Sequence, residues 1–211
     1  MPYTENEGTK IYWDERGAGQ PLLLIMGLGS TSEMWYRLLP ALSEHYRTIV
    51  FDNRGVGRSD APPGPYSITT MANDAAVVMD AAGVGSAHVL GFSMGGFIAQ
   101  ELALHYPERV RGLILAGTAC GGREAVRAAP EVLSALEARG VKTPEEGFRM
   151  MAPYLYDPST LPARIEEDLA ASLRTPLERK SYIAQLLGIV SWAGSHSRLS
   201  SLDTMPRSCA I

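Results

Sequence analysis

Gly91-Phe92-Ser93-Met94-Gly95-Gly96 sets a hydroxyl between glycines at the spacing G-x-S-x-G. A short apolar run, Ala87 to Leu90, leads into it. A helix-forming run, Gly95 to Tyr106, leaves it and stops at Pro107. Strand, tight turn and helix in that order are what a nucleophile elbow needs. Side chains two residues either side of the serine would collide in so sharp a turn, and Gly91 and Gly95 remove them. Ser93 Oγ is then held at the top of a sheet beside a helix N-terminus, whose dipole favours developing negative charge. A chance glycine-serine turn would explain the match but not its flanks.

Two further loops follow strand-like runs. Met26-Gly27-Leu28-Gly29-Ser30 follows the apolar Leu22 to Met26. A backbone N–H here, with that of Met94, can point at the oxygen of a tetrahedral intermediate. Asp52-Asn53-Arg54-Gly55-Val56-Gly57-Arg58-Ser59 follows the next strand-like run, Arg47 to Phe51. A rival reading takes Gly27-Leu28-Gly29-Ser30-Thr31-Ser32 as a dinucleotide fingerprint, with Asp52 as the ribose-binding acid of a nicotinamide oxidoreductase. Ser32 stands where that fingerprint needs its third glycine, and the rival leaves the serine elbow unexplained. It is a remote alternative.

The elements that must position these groups alternate. Strand signals cover Lys10 to Glu15, Leu22 to Met26, Arg47 to Phe51, Ala87 to Leu90 and Val110 to Ala116. Helical spacing covers Glu33 to His45, interrupted by Pro40, then Met71 to Ala82 and Gly95 to Tyr106. That alternation predicts an α/β fold, a mostly parallel sheet with helices on both faces. After Gly121-Gly122 the patterns are helical only, as with Leu161, Ile165, Leu169 and Leu173, four apart. Residues 1–122 therefore read as the core, 123–196 as a helical cap, and 197–211 as a return toward the core with an aberrant tail.

Composition narrows the function classes. A net charge of −4 without a dense basic run argues against nucleic acid as a partner. Cys120 and Cys209 make neither a disulfide framework nor a four-ligand zinc site. Neither a metal nor a cofactor is expected. The N-terminus carries no leader pattern, and Leu22 to Met26 is far too short to cross a bilayer. The expectation is a soluble, cytoplasmic protein with a small-molecule substrate and no membrane contact.

With its three loops in this order, the chain resembles the α/β-hydrolase superfamily from residue 1 to about Pro206. The resemblance implies Ser93 as the nucleophile, Leu28 and Met94 as oxyanion-hole amides, an architectural 52–59 loop, and a cap over residues 123–194 that roofs the site. Met26 stands where many members carry His, which a hole built of main-chain N–H groups tolerates. The serine sets the chain apart from the dehalogenase and epoxide hydrolase branches, whose nucleophile is Asp. The implied activity is hydrolysis of an ester or related carbonyl compound through an acyl-enzyme.

A serine nucleophile needs a base, and the base an orienting acid. His45 and His105 end helices and His88 begins the strand leading to Ser93, which puts all three on the far side of the sheet. His196 follows the cap and is expected at the surface. Members of the family usually continue beyond Pro206 with further strands, an acid-bearing loop and a late histidine. This chain reads Pro206-Arg207-Ser208-Cys209-Ala210-Ile211, and Asp203 has no assigned role. The expectation is a chain truncated or frameshifted near residue 206, either an incomplete serine hydrolase or a non-catalytic remnant that binds small molecules. Val110 to Ala116 should then form an open sheet edge without a guarding charge or proline over residues 112–116. Self-association through that edge is the expected outcome in size-exclusion chromatography with light scattering. A sharp monomer peak with cooperative unfolding would count against it.

Overall fold

The computed structural model describes residues 2–123, 125–175 and 177–202. Asp203, Cys209 and the whole tail from 203 to 211 lie outside the described residues. Six strands form one sheet: β1 (Tyr3–Asn6), β2 (Thr9–Arg16), β3 (Gln20–Ile25), β4 (Tyr46–Phe51), β5 (Ala87–Phe92) and β6 (Val110–Ala116). Their spatial order is β1-β2-β4-β3-β5-β6. β1 and β2 join as a hairpin across Glu7 and Gly8, both at positive φ. β2 runs antiparallel to β4, and the pairings β4-β3, β3-β5 and β5-β6 are parallel. β1 gives no strand signal in the sequence, because its residues are half-exposed and only pairing with β2 defines it. β6 pairs with β5 alone and closes the sheet order among the described residues.

Apolar runs become central strands because both faces of the sheet are covered. Leu23, Leu24 and Ile25 have no exposed surface. Leu23 and Ile25 pack with Met71 and Met79 of α2 (Ile68–Ala81) and Ile98 and Leu102 of α3 (Met94–His105). Leu22, Leu24 and Met26 face the other way, onto Trp35 and Leu39. The helix expected over 33–45 is two pieces, a 3-10 turn at Ser32–Arg37 and α1 at Leu39–Ser43. Pro40 causes the break: lacking an N–H, it is tolerated in a first turn but not within a helix. α2 starts ahead of its apolar period because Ser67 Oγ accepts the Thr70 N–H at 2.9 Å.

Residues 123–194 hold four helices and no strand among the described residues: α4 (Pro130–Arg139), α5 (Pro144–Leu155), α6 (Pro162–Ser172) and α7 (Arg179–Ser191). Three of them begin on proline, whose fixed φ suits a first helical position. Thr143 and Glu146 cap α5 reciprocally. A last 3-10 turn, His196–Leu202, packs on α3. No helix among the described residues is long and apolar enough to cross a membrane.

One buried ion pair ties the loop after β4 to the helical layer beneath it. Arg54 Nε and Nη2 each lie 2.6 Å from Asp74 on α2, and Asn6 Nδ2 donates to the same carboxylate at 2.7 Å. Both charged side chains are under a tenth exposed. Removing one partner would strand the other charge away from water. Asp74→Ala should therefore lower the unfolding free energy by about 3–5 kcal/mol in urea titrations. Glu166→Ala, which breaks an exposed pair with Arg149, should cost under about 1 kcal/mol.

Candidate active site

Ser93 joins β5 to α3 with φ 53° and ψ −120°, a conformation L-residues rarely hold. Three hydrogen bonds impose it. The Ser93 N–H donates to Ala116 O at 2.9 Å, and Ser93 O accepts from the Gly96 N–H and Thr118 Oγ1, each at 2.8 Å. The neighbouring glycines are obligatory for lack of room. A Cβ on Gly95 would lie on the carbonyl oxygen of Ile25, at the end of β3, and one on Gly91 would lie on the carbonyl oxygen of Gly95. Gly96 is equally close to the Thr118 side chain, a third requirement that the G-x-S-x-G spacing does not express.

The loop after β3 lies against the elbow, with Gly27 so close that a Cβ there would stand 3.0 Å from Ser93 Cβ. Asn53 Nδ2 holds Met26 O at 3.0 Å, and the Ser30 N–H closes a turn onto Gly27 O at 3.2 Å. Gln185 of α7, fully buried, accepts the Gly29 N–H at 2.9 Å and donates to Arg54 O at 2.9 Å. Among the described residues, the N–H groups of Leu28 and Met94 are left without an acceptor. Leu28, Ser93 and Met94 all border one cleft of about 820 Å³, walled by Phe97, Leu186, Ile189 and Trp192. Nothing in the sequence marked Gln185. It is a polar residue on a helix face whose neighbours Ser181, Tyr182 and Ala184 are also buried, so only its contacts reveal its task.

Among the described residues, no histidine or carboxylate borders that cleft and Ser93 Oγ has no hydrogen-bond partner. His88 Nε2 meets Gln20 Oε1 at 3.1 Å, at the opposite end of β5. His45 follows α1, and His105 at the end of α3 lies 3.1 Å from Glu101. His196 is exposed on the last 3-10 turn, which Arg198 fastens to Glu101, about 12 Å along α3 from the elbow. Burial pushes the Glu101 carboxyl up, but hydrogen bonds from Arg198 and the Trp192 indole, with charge from Arg198 and His105, outweigh it and hold the group below the ordinary carboxylate range. Among the described residues, no group of three or more His, Cys, Asp or Glu is placed to hold a metal ion.

The dinucleotide alternative loses its acid here. Asp52 is fully buried, one carboxylate oxygen taking the Ser32 N–H and hydroxyl at 2.8 and 2.7 Å, the other Arg58 N–H and Nε at 3.0 and 3.2 Å. No oxygen remains for a ribose. The 52–59 loop is bound to protein groups at several points, with the Ser59 hydroxyl accepting the Tyr12 N–H at 2.9 Å.

The elbow's packing gives a stability prediction. Gly95→Ala drives a methyl group into the main chain of a central strand and should cost about 3 kcal/mol, the upper end for overpacking. Gly85→Ala, with nothing near its Cβ, should be within about 0.5 kcal/mol of the parent. Urea titration of both variants reads the difference.

The alpha/beta hydrolase fold family matches residues 20–181. Over 115 residues the chain is 46% identical to a putative carbamate hydrolase RutD of Azorhizobium caulinodans, covering 54% of this chain and 43% of that protein. Over 136 residues it is 34% identical to 3-oxoadipate enol-lactonase 2 of Acinetobacter baylyi, covering 64% of this chain and 48% of the relative. The match thus spans less than half the length of either relative. A thermophilic esterase from Thermogutta terrifontis superposes with a TM-score of 0.80 at 28% identity, covering 99% of this chain and 76% of the esterase.

Proposed function

The chain belongs to the alpha/beta hydrolase fold family, and from that premise we propose that it carries the nucleophile and oxyanion half of a serine hydrolase acting on esters or related carbonyl compounds. The observation that carries the reading is a serine at positive φ in a cleft also lined by Leu28 and Met94, whose N–H groups have no acceptor among the described residues. The relatives' names support the reaction class. A carbamate, an enol-lactone and an ester each offer a carbonyl carbon bearing a group that can leave.

In this reading a base removes the Ser93 hydroxyl proton as Oγ attacks the carbonyl carbon. The carbonyl oxygen becomes an oxyanion and accepts hydrogen bonds from the main-chain N–H groups of Leu28 and Met94. The tetrahedral species collapses, the leaving group takes the proton, and acyl-Ser93 remains for water to cleave. The described residues supply no base to Ser93 Oγ. That observation favours a second reading, a small-molecule binding protein that keeps the cleft without the reaction.

Added imidazole separates the two, since it can reach Ser93 through the open cleft and act as a base. Turnover of 4-nitrophenyl butyrate by the 211 residues alone should stay near background and be equal in Ser93→Ala. With imidazole, after subtracting its own reaction in buffer, an increment should appear with a butyryl mass on Ser93. Ser93→Ala should reduce that increment by about a hundredfold. No increment, or one that survives the substitution, would favour the binding protein.

A further inference from the structure

A second cleft, of about 320 Å³, opens between the helical layer and the first 3-10 turn. Its walls are apolar: Met34 and Trp35 on one side, Phe148 and Met151 of α5 on the other, and Met26 and Phe92 at the end nearest the elbow. Three charged side chains reach it, Arg37, Asp168 and Arg139. Two of them are spent on the protein. Asp168 accepts from Arg37 Nε at 3.0 Å, Tyr36 OH at 2.5 Å and Tyr156 OH at 2.9 Å, and Arg37 also pairs with Glu167 at 2.8 Å.

Arg139 is different. Its guanidinium makes no ion pair and no hydrogen bond among the described residues, and it lies over the face of the Tyr182 ring, 5.4 Å from the centroid. Its stem is packed against Gly147. The smaller recess on its other side is bordered by Lys142 and Arg179, so the local charge there is positive as well. Burial pushes the guanidinium down from its ordinary range, outweighing the opposing effect of Tyr182. A cation held partly out of water without a counter-ion is costly unless something negative joins it.

We infer that Arg139 is a recognition residue for the carboxylate of a small amphiphilic ligand, whose apolar body fills the cleft between α5 and the first 3-10 turn. A carboxylate meets a guanidinium through two parallel N–H donors, and a neutral amide cannot replace both acceptors. Met26 and Phe92, which line this cleft, directly precede Gly27 and Ser93 in the chain, so its lining adjoins both elbow loops. The inference thereby deepens the hydrolase reading to substrates that carry an acid group remote from the cleaved bond.

The test uses binding alone, which keeps it separate from turnover. 4-Phenylbutyrate and its neutral counterpart 4-phenylbutanamide are titrated into the whole chain by calorimetry. The parent should prefer the acid by about tenfold or more. Arg139→Met, which keeps the packed stem, should remove that preference and leave affinity for the amide within about twofold. Arg139→Lys should retain part of it. Should Arg139→Met fail to fold, the parent carries the test: the Arg139 Nε–Hε resonance should move on adding the acid and not the amide. Equal affinities in the parent, a preference that survives Arg139→Met, or an unmoved resonance would overturn the inference. A silent Ser93 would leave acid binding standing, and absent acid binding would leave imidazole-dependent acylation of Ser93 standing.

Discussion

The carbonyl oxygen of Ile25 leaves no space for a side chain at residue 95, and the chemistry of the molecule is arranged around that close approach. β3 and α3 meet there main chain to main chain. A helix starting so near a strand end forces the preceding residue into a sharp turn, and Ser93 takes the left-handed conformation that results. Such a backbone costs on the order of 1–3 kcal/mol and persists only where its surroundings over-determine it. Three hydrogen bonds at Ser93 and the burial of Ile98, Ala99 and Leu102 along α3 supply that surrounding constraint.

A second tier of polar contacts holds the loops that face the elbow. Asp52 gathers Ser32 and Arg58, Asn53 reaches back to Met26, and Arg54 turns down to Asp74. Three successive residues of one loop thus fasten three different parts of the core. Gln185 completes the frame from the helical layer, taking the Gly29 N–H and leaving that of Leu28 open. The layer over the sheet is therefore more than a roof. One buried amide on α7 decides which backbone donors of the 26–30 loop remain available.

Two clefts of unlike character border the helical layer. The larger borders Ser93 and is walled largely by aromatic and aliphatic side chains from α3, α7 and the loop after β6. The smaller lies between α5 and the first 3-10 turn and carries the guanidinium of Arg139, which has no partner among the described residues. Asp168 ties α6 to that 3-10 turn through Tyr36 and Arg37, which sets the width of the smaller cleft. Burial, with hydrogen bonding to Asp168, pushes the Tyr36 hydroxyl up to about 12. It therefore stays a proton donor to Asp168 throughout the neutral range.

What the sequence determined by itself is local. Apolar runs of five or six residues become central strands because both sheet faces are covered, and Gly91 and Gly95 mark an elbow because a tight turn tolerates no side chain there. The order of three loops after three strands placed Leu28, Ser93 and Met94 on one side of the sheet, since parallel strands all end at the same edge. β1 and the split at Pro40 were less legible, the first because it exists only by pairing, the second because proline allows either a kink or a restart. Tertiary structure alone decided the partners of the polar side chains. Gln185 and Gly29 are 156 positions apart, and nothing along the chain correlates an amide with a distant N–H. The same holds for Arg139: that it finds no partner among the described residues depends on what surrounds the side chain, and only the packed fold supplies those surroundings.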